Sequence, residues 1–296
     1  MKSIQVLEYV SRVTPLGVRF RDVATGATIA MDLSVVVYPR LEPELRTRAV
    51  VNRAGVFVFC NLPGLHEAET GAGDAGFWAT YSPPQYEFVL EVRDPARRFH
   101  PFVLPVKLPQ RGILGLGVAS PLTSPPLGQI GSRGAFVPLF STPSRGRPEG
   151  MAVLRAEMLD SGTDEPAAWA VIEARSGGQP VVTGVADERG RIMLPLPYPK
   201  AVITLGSLST PNTPLTDQTW SVDFTVRYRR RAPVPSMPDL YDVLTQPVAT
   251  AWRETTFVTP LTQGTLRFGR ELVLATQTGT GDSTAMLLVT PMGSPP

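Results

Sequence analysis

His66, His100, Cys60 and a few clustered acids are the residues of this chain that metal or nucleophilic chemistry would have to use. The chain has two histidines and one cysteine, so no zinc-ligand set forms at useful spacing. A histidine-dependent triad would have to recruit one of these two imidazoles, and no Gly-x-Ser-x-Gly elbow occurs to offer a serine. His100, between Phe99 and Pro101, reads as a packed imidazole. Asp160, Asp164, Glu165, Asp187 and Glu188 supply the oxygens calcium prefers, but not at the spacing of a dedicated loop, so they read as solvated turns. No catalytic, cofactor or metal site is expected.

Two glycine-rich stretches imitate nucleotide loops. Gly71-Ala72-Gly73-Asp74-Ala75-Gly76 matches the dinucleotide fingerprint letter for letter. That fingerprint works only between a strand and a helix N-terminus, and Pro83-Pro84 stops any helix here. Gly279 to Asp282 lacks the lysine of a phosphate loop and reads as a hairpin turn.

Three groups are candidates for binding. Phe77, Trp78 and Tyr81 follow the first glycine stretch and suit a sugar-stacking platform, a protein anchor, or a plug for one end of a sandwich. Arg229, Arg230 and Arg231, with Arg227 and the interleaved Tyr228, form the one basic cluster. It suits nucleic acid or a salt-bridge rim against an acidic subunit, and it is a small footprint for nucleic acid. Ile113, Leu114 and Leu116 are apolar side chains in a stretch too rich in glycine to fold alone.

The elements that would position these residues are strands. The 296 residues include 31 prolines and 26 glycines and are 18% charged, which favours short strands and rigid turns over long helices. Tyr86, Phe88, Leu90 and Val92 alternate with polar neighbours, as do Trp220, Val222, Phe224, Val226 and Tyr228. Leu33 to Tyr38 and Val56 to Cys60 are apolar on both parities, the pattern of strands covered on both faces. Leu33–Tyr38, the turn Asn52–Gly55 and Tyr86–Arg93 recur as Trp169–Ala174, Asp187–Gly190 and Trp220–Tyr228, displaced by 134 to 136 positions. The chain therefore reads as all-β, two tandem immunoglobulin- or transthyretin-like antiparallel sandwiches. The expected boundaries are 1–110, a Pro/Gly-rich linker over 111–150, and 151–296 with an extended arm at 232–250 and a C-terminal hairpin.

Net charge is +2, so no global field draws the chain to nucleic acid or anionic membrane. No run approaches the ~18 apolar residues that span a bilayer. Gln5 and Glu8 interrupt the apolar stretch a signal peptide needs, and a lone cysteine suits a reducing compartment, so a cytoplasmic location is expected.

Trp169–Ala174, Gly184–Ile192 with Asp187 and Gly190, and Pro195-Leu196-Pro197 resemble the carboxypeptidase regulatory-like domain, a transthyretin-like seven-strand sandwich. The first copy resembles a degenerate relative, with Asn52 for the aspartate and Gly55 retained. The likeness covers one supersecondary unit per copy and implies fold; the family has no catalytic residues to carry over. The whole layout is similar to accessory structural proteins of phage-tail-like contractile injection systems. Its features are a short lead, two sandwiches, a linker carrying Val137-Pro138-Leu139-Phe140-Ser141, and the stretch Glu165–Ala170. That implies a non-enzymatic adaptor subunit at a cap or baseplate, oligomeric and in contact with other protein subunits. The apolar linker and proline-rich arm would then order against neighbours. The alternative is a module for carbohydrate or another surface ligand, using the Phe77–Tyr81 loop.

Overall fold

The computed structural model describes residues 13–70, 84–110, 112–116, 135–176, 179–199 and 217–294. Strands dominate these residues, and each of the two helices is five residues long. The protein is an all-β sandwich. It divides into two compact units, one comprising Met1–Arg21, Thr28–Arg93 and Val103–Pro138, the other Asp22–Ala27, Asp94–Phe102 and Leu139–Pro296.

The first unit runs β1 (Leu16–Val18), β2 (Phe20–Asp22), β3 (Thr28–Ile29), β4 (Ser34–Pro39), β5 (Thr47–Arg48), β6 (Val50–Val51), β7 (Phe57–Phe59), helix α1 (His66–Thr70), β8 (Tyr86–Arg93), β9 (Phe102–Leu108), β10 (Ile113–Leu114) and β11 (Val137–Leu139). Two four-stranded sheets, β10–β1–β7–β6 and β5–β4–β8–β9, and a three-stranded ribbon β11–β2–β3 result. Leu16, Val18, Phe57 and Phe59 from one sheet, and Val35, Val37, Phe88, Leu90 and Val92 from the other, are at most 2% exposed. That alternation follows from the pleat, which sends every second side chain inward.

The second unit runs β12 (Met151–Asp160), β13 (Val171–Ser176), β14 (Val182–Val185), β15 (Arg191–Pro197), β16 (Thr219–Arg227), helix α2 (Leu240–Leu244), β17 (Val248–Ala251), β18 (Gln263–Arg267), β19 (Leu272–Leu274) and β20 (Leu287–Pro291). Its sheet has the order β14–β13–β16–β17–β20–β12–β15, with β18 added to β16 and β19 to β12. Ile172, Ala174, Leu154, Met158, Leu194, Val222 and Val226 lie in one buried cluster inside it.

One ladder occurs in both units. β1 pairs antiparallel with β7 and parallel with β10, as β12 does with β15 and β19. β4 pairs antiparallel with β5 and β8, as β13 does with β14 and β16. The turns agree atom for atom. Gly55 N donates to Asn52 O at 3.0 Å while Asn52 Oδ1 accepts from Ala54 N and Val56 N; Gly190 N donates to Asp187 O at 3.0 Å while Asp187 Oδ1 accepts from Arg189 N and Arg191 N. Both glycines have positive φ, +71° and +75°, where a Cβ is disfavoured.

The register of one strand departs from the sequence reading. The inward pairs of the first unit are Val35–Val92 and Val37–Leu90, and those of the second are Ile172–Val226 and Ala174–Phe224. Val35 therefore corresponds to Ile172, one place later than aligned from sequence. Three consecutive valines carry no parity signal, and a one-residue slip reverses every side chain. Val36 and Val58 are only half-buried, so β4 and β7 are not covered on both faces.

Three further expectations change. The described parts of 111–150 include strands: β10 adds to β1, Leu116 N donates to Phe136 O at 2.9 Å, and Val137 N donates to Arg19 O at 2.7 Å. The arm at 232–250 does not wait for a neighbour; it packs α2 onto its own unit, with Leu240 at 3% and Val243 at 0% exposure. The C-terminal hairpin is shorter than expected. β19 and β20 both lie parallel to β12, and only a short ladder around the Thr278–Asp282 turn joins them.

Candidate functional site

Phe77, Trp78 and Tyr81, with the glycine fingerprint before them, lie outside the described residues. The remaining candidates fall into three groups.

His66 begins α1 and is exposed; His100 belongs to the other unit and is buried. The His100 Nε2 lies 3.0 Å from the Val185 carbonyl, and its ring meets Trp169 edge-on at 5.8 Å. Burial pushes its pKa down to about 4, against the opposing charge of Asp187 and hydrogen bonds to backbone at Val185 and Ser141. A neutral imidazole held this way packs and caps a carbonyl. The acids separate into two turns. Asp187 holds its own loop and receives Arg191 at 2.8 Å, while Asp160 is fully buried and receives the Gly162 N–H and Arg230. Among the described residues, no three His, Cys, Asp or Glu side chains gather as metal ligands.

The arginine cluster is tied to acids of its own unit. Arg227 meets Glu173 at 3.2 Å, Arg230 Nη2 donates to Asp160 Oδ1 at 2.6 Å, Arg231 meets Asp242 at 3.0 Å, and Arg229 pairs with the other Asp242 oxygen. Beyond the end of β16, Arg229 and Arg231 reach Asp242 of α2, and Arg230 reaches the buried Asp160. Burial alone would raise the Asp160 pKa, but the Arg230 hydrogen bonds, the Gly162 N–H and the Arg230 charge outweigh it and leave the carboxyl below its ordinary range. Tyr228 is pushed well up by burial and by the Asp160 charge. Gln246, 1% exposed, ties the arm down by donating to the Trp169 and Val243 carbonyls, and Trp169 Nε1 donates to Pro235 O at 2.9 Å. The cluster works as a clamp that fastens the arm.

Leu114 is buried in β10, while Ile113 and Leu116 are half-buried within the first unit. They complete a sheet edge there. Two exposed surfaces escaped the sequence reading. The loop 40–46 carries Leu41 at 93% exposure, and β6 carries Val50 at 68% and Val51 at 40%. Their apolar letters sit among charges with no period, so only the exposures single them out. On the second unit, Glu173, Arg175, Asp223, Thr225 and Thr262 line a shallow polar depression of about 390 Å³. In the same unit, half-buried Tyr198 lies 5.7 Å from Trp220 and 4.9 Å from Phe268, ring centre to ring centre, with the rings tilted to one another.

No protein-family model matches the chain, and no curated protein does. Among solved structures, a candidate adhesin from Bacteroides ovatus aligns over 92% of this chain and 91% of its own, at 9% identity and a TM-score of 0.19. A likeness of that size carries no argument about fold or function.

Proposed function

We propose that the chain is a non-enzymatic structural adaptor of a large protein assembly, at the cap or baseplate of a phage-tail-like contractile injection particle. One observation carries the reading: the same pairing pattern of seven strands recurs in both units, as β10–β1–β7 with β5–β4–β8–β9 and as β19–β12–β15 with β14–β13–β16–β17. That repetition supports two copies of a carboxypeptidase regulatory-like, transthyretin-like sandwich, a fold that presents edges and loops for docking. Its partners are other protein subunits, and assembly takes place in the cytoplasm without metal or cofactor. The test is to tag the chain in its native host and sediment particles from lysates. Co-sedimentation at fixed stoichiometry is expected; a chain found only in the slow fraction overturns the reading.

A second reading, a carbohydrate-binding module, draws on the clustered Tyr198, Trp220 and Phe268, whose partly exposed rings offer apolar area to a sugar face. Glycan-array binding lost in Trp220→Ala would favour it.

A further inference from the structure

The loop between β4 and β5 reads Leu41-Glu42-Pro43-Glu44-Leu45, and every residue from 40 to 46 is exposed. Leu41 is 93% exposed and Leu45 42%. The loop is nonetheless ordered by its own backbone: Glu42 N donates to Pro39 O at 3.2 Å, Leu45 N to Glu42 O at 3.1 Å, and Arg46 N to Glu44 O at 2.9 Å. The flanking arginines are paired with acids of β8. Arg40 pairs with Glu87 at 2.9 Å, and Arg46 pairs with Glu91 and lies 4.9 Å from the Tyr38 ring centroid. Glu42 and Glu44 have no ion pair among the described residues, so the tip is acidic as well as apolar.

A few residues on, the same run reaches β6, the terminal strand of its sheet, where Val50 and Val51 are exposed. Arg48 and Arg53 flank them, exposed and without an ion pair among the described residues. One extended run thus carries an acidic leucine tip at one end and a basic valine edge at the other. Between the two, Thr47–Arg48 is paired with β4 and Val50–Val51 with β7.

We infer that a second copy of this chain docks antiparallel on residues 40–53, each acidic leucine tip against the other's arginine-flanked valine edge. Reversing the run end for end sets unlike patches opposite each other twice, which is a self-complementary two-fold contact. β6 offers a backbone edge for strand addition, and its two-residue length leaves the choice of partner to the charges and the valines. The tip is ordered before docking, so little conformational freedom is lost on association. The contact names one partner for the assembly reading and rests on that reading only in treating this surface as an interface.

The test is the mass of the full chain by sedimentation equilibrium over a concentration series at low and high salt. A dimer is expected, weakened by salt. Glu42→Lys with Glu44→Lys, and separately Arg48→Glu with Arg53→Glu, should each weaken it by about tenfold or more, and mixing the two variants should restore it as a heterodimer. All four positions are exposed, and unchanged melting curves confirm that the variants fold. Monomers throughout, reversals without effect, or no rescue on mixing would overturn the contact. A monomer that still travels with particles removes this contact and leaves the adaptor reading standing; a dimer absent from every particle does the reverse.

Discussion

Replacing Gly190 with alanine should cost the second unit far more than the same change at Gly55 costs the first, although the two glycines hold equivalent turns. Each has positive φ, so each substitution pays a left-handed backbone penalty of about 1–2 kcal/mol. The surroundings then differ. A Cβ on Gly55 would lie 3.2 Å from the Ala30 Cβ, a methyl that can give way. A Cβ on Gly190 would lie 2.3 Å from the Met158 carbonyl oxygen and 3.1 Å from the Ala167 nitrogen. Those backbone atoms are bonded: Ala167 N donates to Met158 O at 2.9 Å, and Met158 N donates to Gly190 O at 2.9 Å. Displacing that carbonyl puts at least one buried hydrogen bond at risk, worth about 1–3 kcal/mol when left unmade. Gly190→Ala should therefore destabilise by about 3 kcal/mol or more, and Gly55→Ala by about 1–2 kcal/mol. Urea unfolding followed by tryptophan fluorescence in a Trp78→Phe background reads the second unit, which holds Trp169, Trp220 and Trp252; far-UV circular dichroism reads both. A Gly190→Ala loss below 1 kcal/mol, or a larger loss at Gly55, would refute this account of the turn.

His100 is held neutral to about pH 4, against an unfolded value near 6.5. The unfolded chain binds the extra proton between those limits, so stability should fall by up to about 3 kcal/mol as pH drops from 6.5 to 4. His100→Leu should flatten that slope in pH-dependent urea midpoints, and an unchanged slope would contradict it. Arg230→Ala strands the fully buried Asp160 carboxylate and should cost about 3 kcal/mol, whereas Arg229→Ala removes a half-exposed pair and should cost under about 1 kcal/mol. Equal thermal shifts in the two variants would show that the clamp has been misread. Amides of Leu240–Leu244 should be protected from hydrogen exchange in the isolated chain, because the helix buries Leu240 and Val243 on its own unit; exchange at the rate of an open coil would return the arm to a partner.

Sequence made the strands with strict alternation legible, because Phe88, Leu90 and Val92, or Val222, Phe224 and Val226, state their inward face by type. It also made the paired turns legible, because Asn52 with Gly55 and Asp187 with Gly190 encode a bend through side-chain and backbone chemistry. It left β10 hidden, and the partner of β19. Strands of two or three residues, paired in parallel to partners far along the chain, have no period of their own. The arginine run looked like an outward charge cluster because its acids lie at positions 160, 173 and 242, separations that no local pattern encodes. The exposed tip at Leu41 and the edge at Val50 were invisible for the opposite reason: an apolar letter in sequence predicts burial, and only the fold tells where burial fails.

The second unit draws residues 22–27 and 94–102 from the N-terminal half of the chain. During synthesis those stretches leave the ribosome well before the strands they serve. Asp22 must wait for Arg145, which it receives at 2.7 Å, and His100 must wait for Val185. A chain stopped at residue 150 holds these groups without their second-unit strands. One begun at residue 139 has Arg145 without its carboxylate, no Asp94 to gather the Ala96, Arg98 and Phe99 amides, and an uncapped Val185 carbonyl. Neither unit is a contiguous stretch of chain, so no single truncation removes one and leaves the other whole.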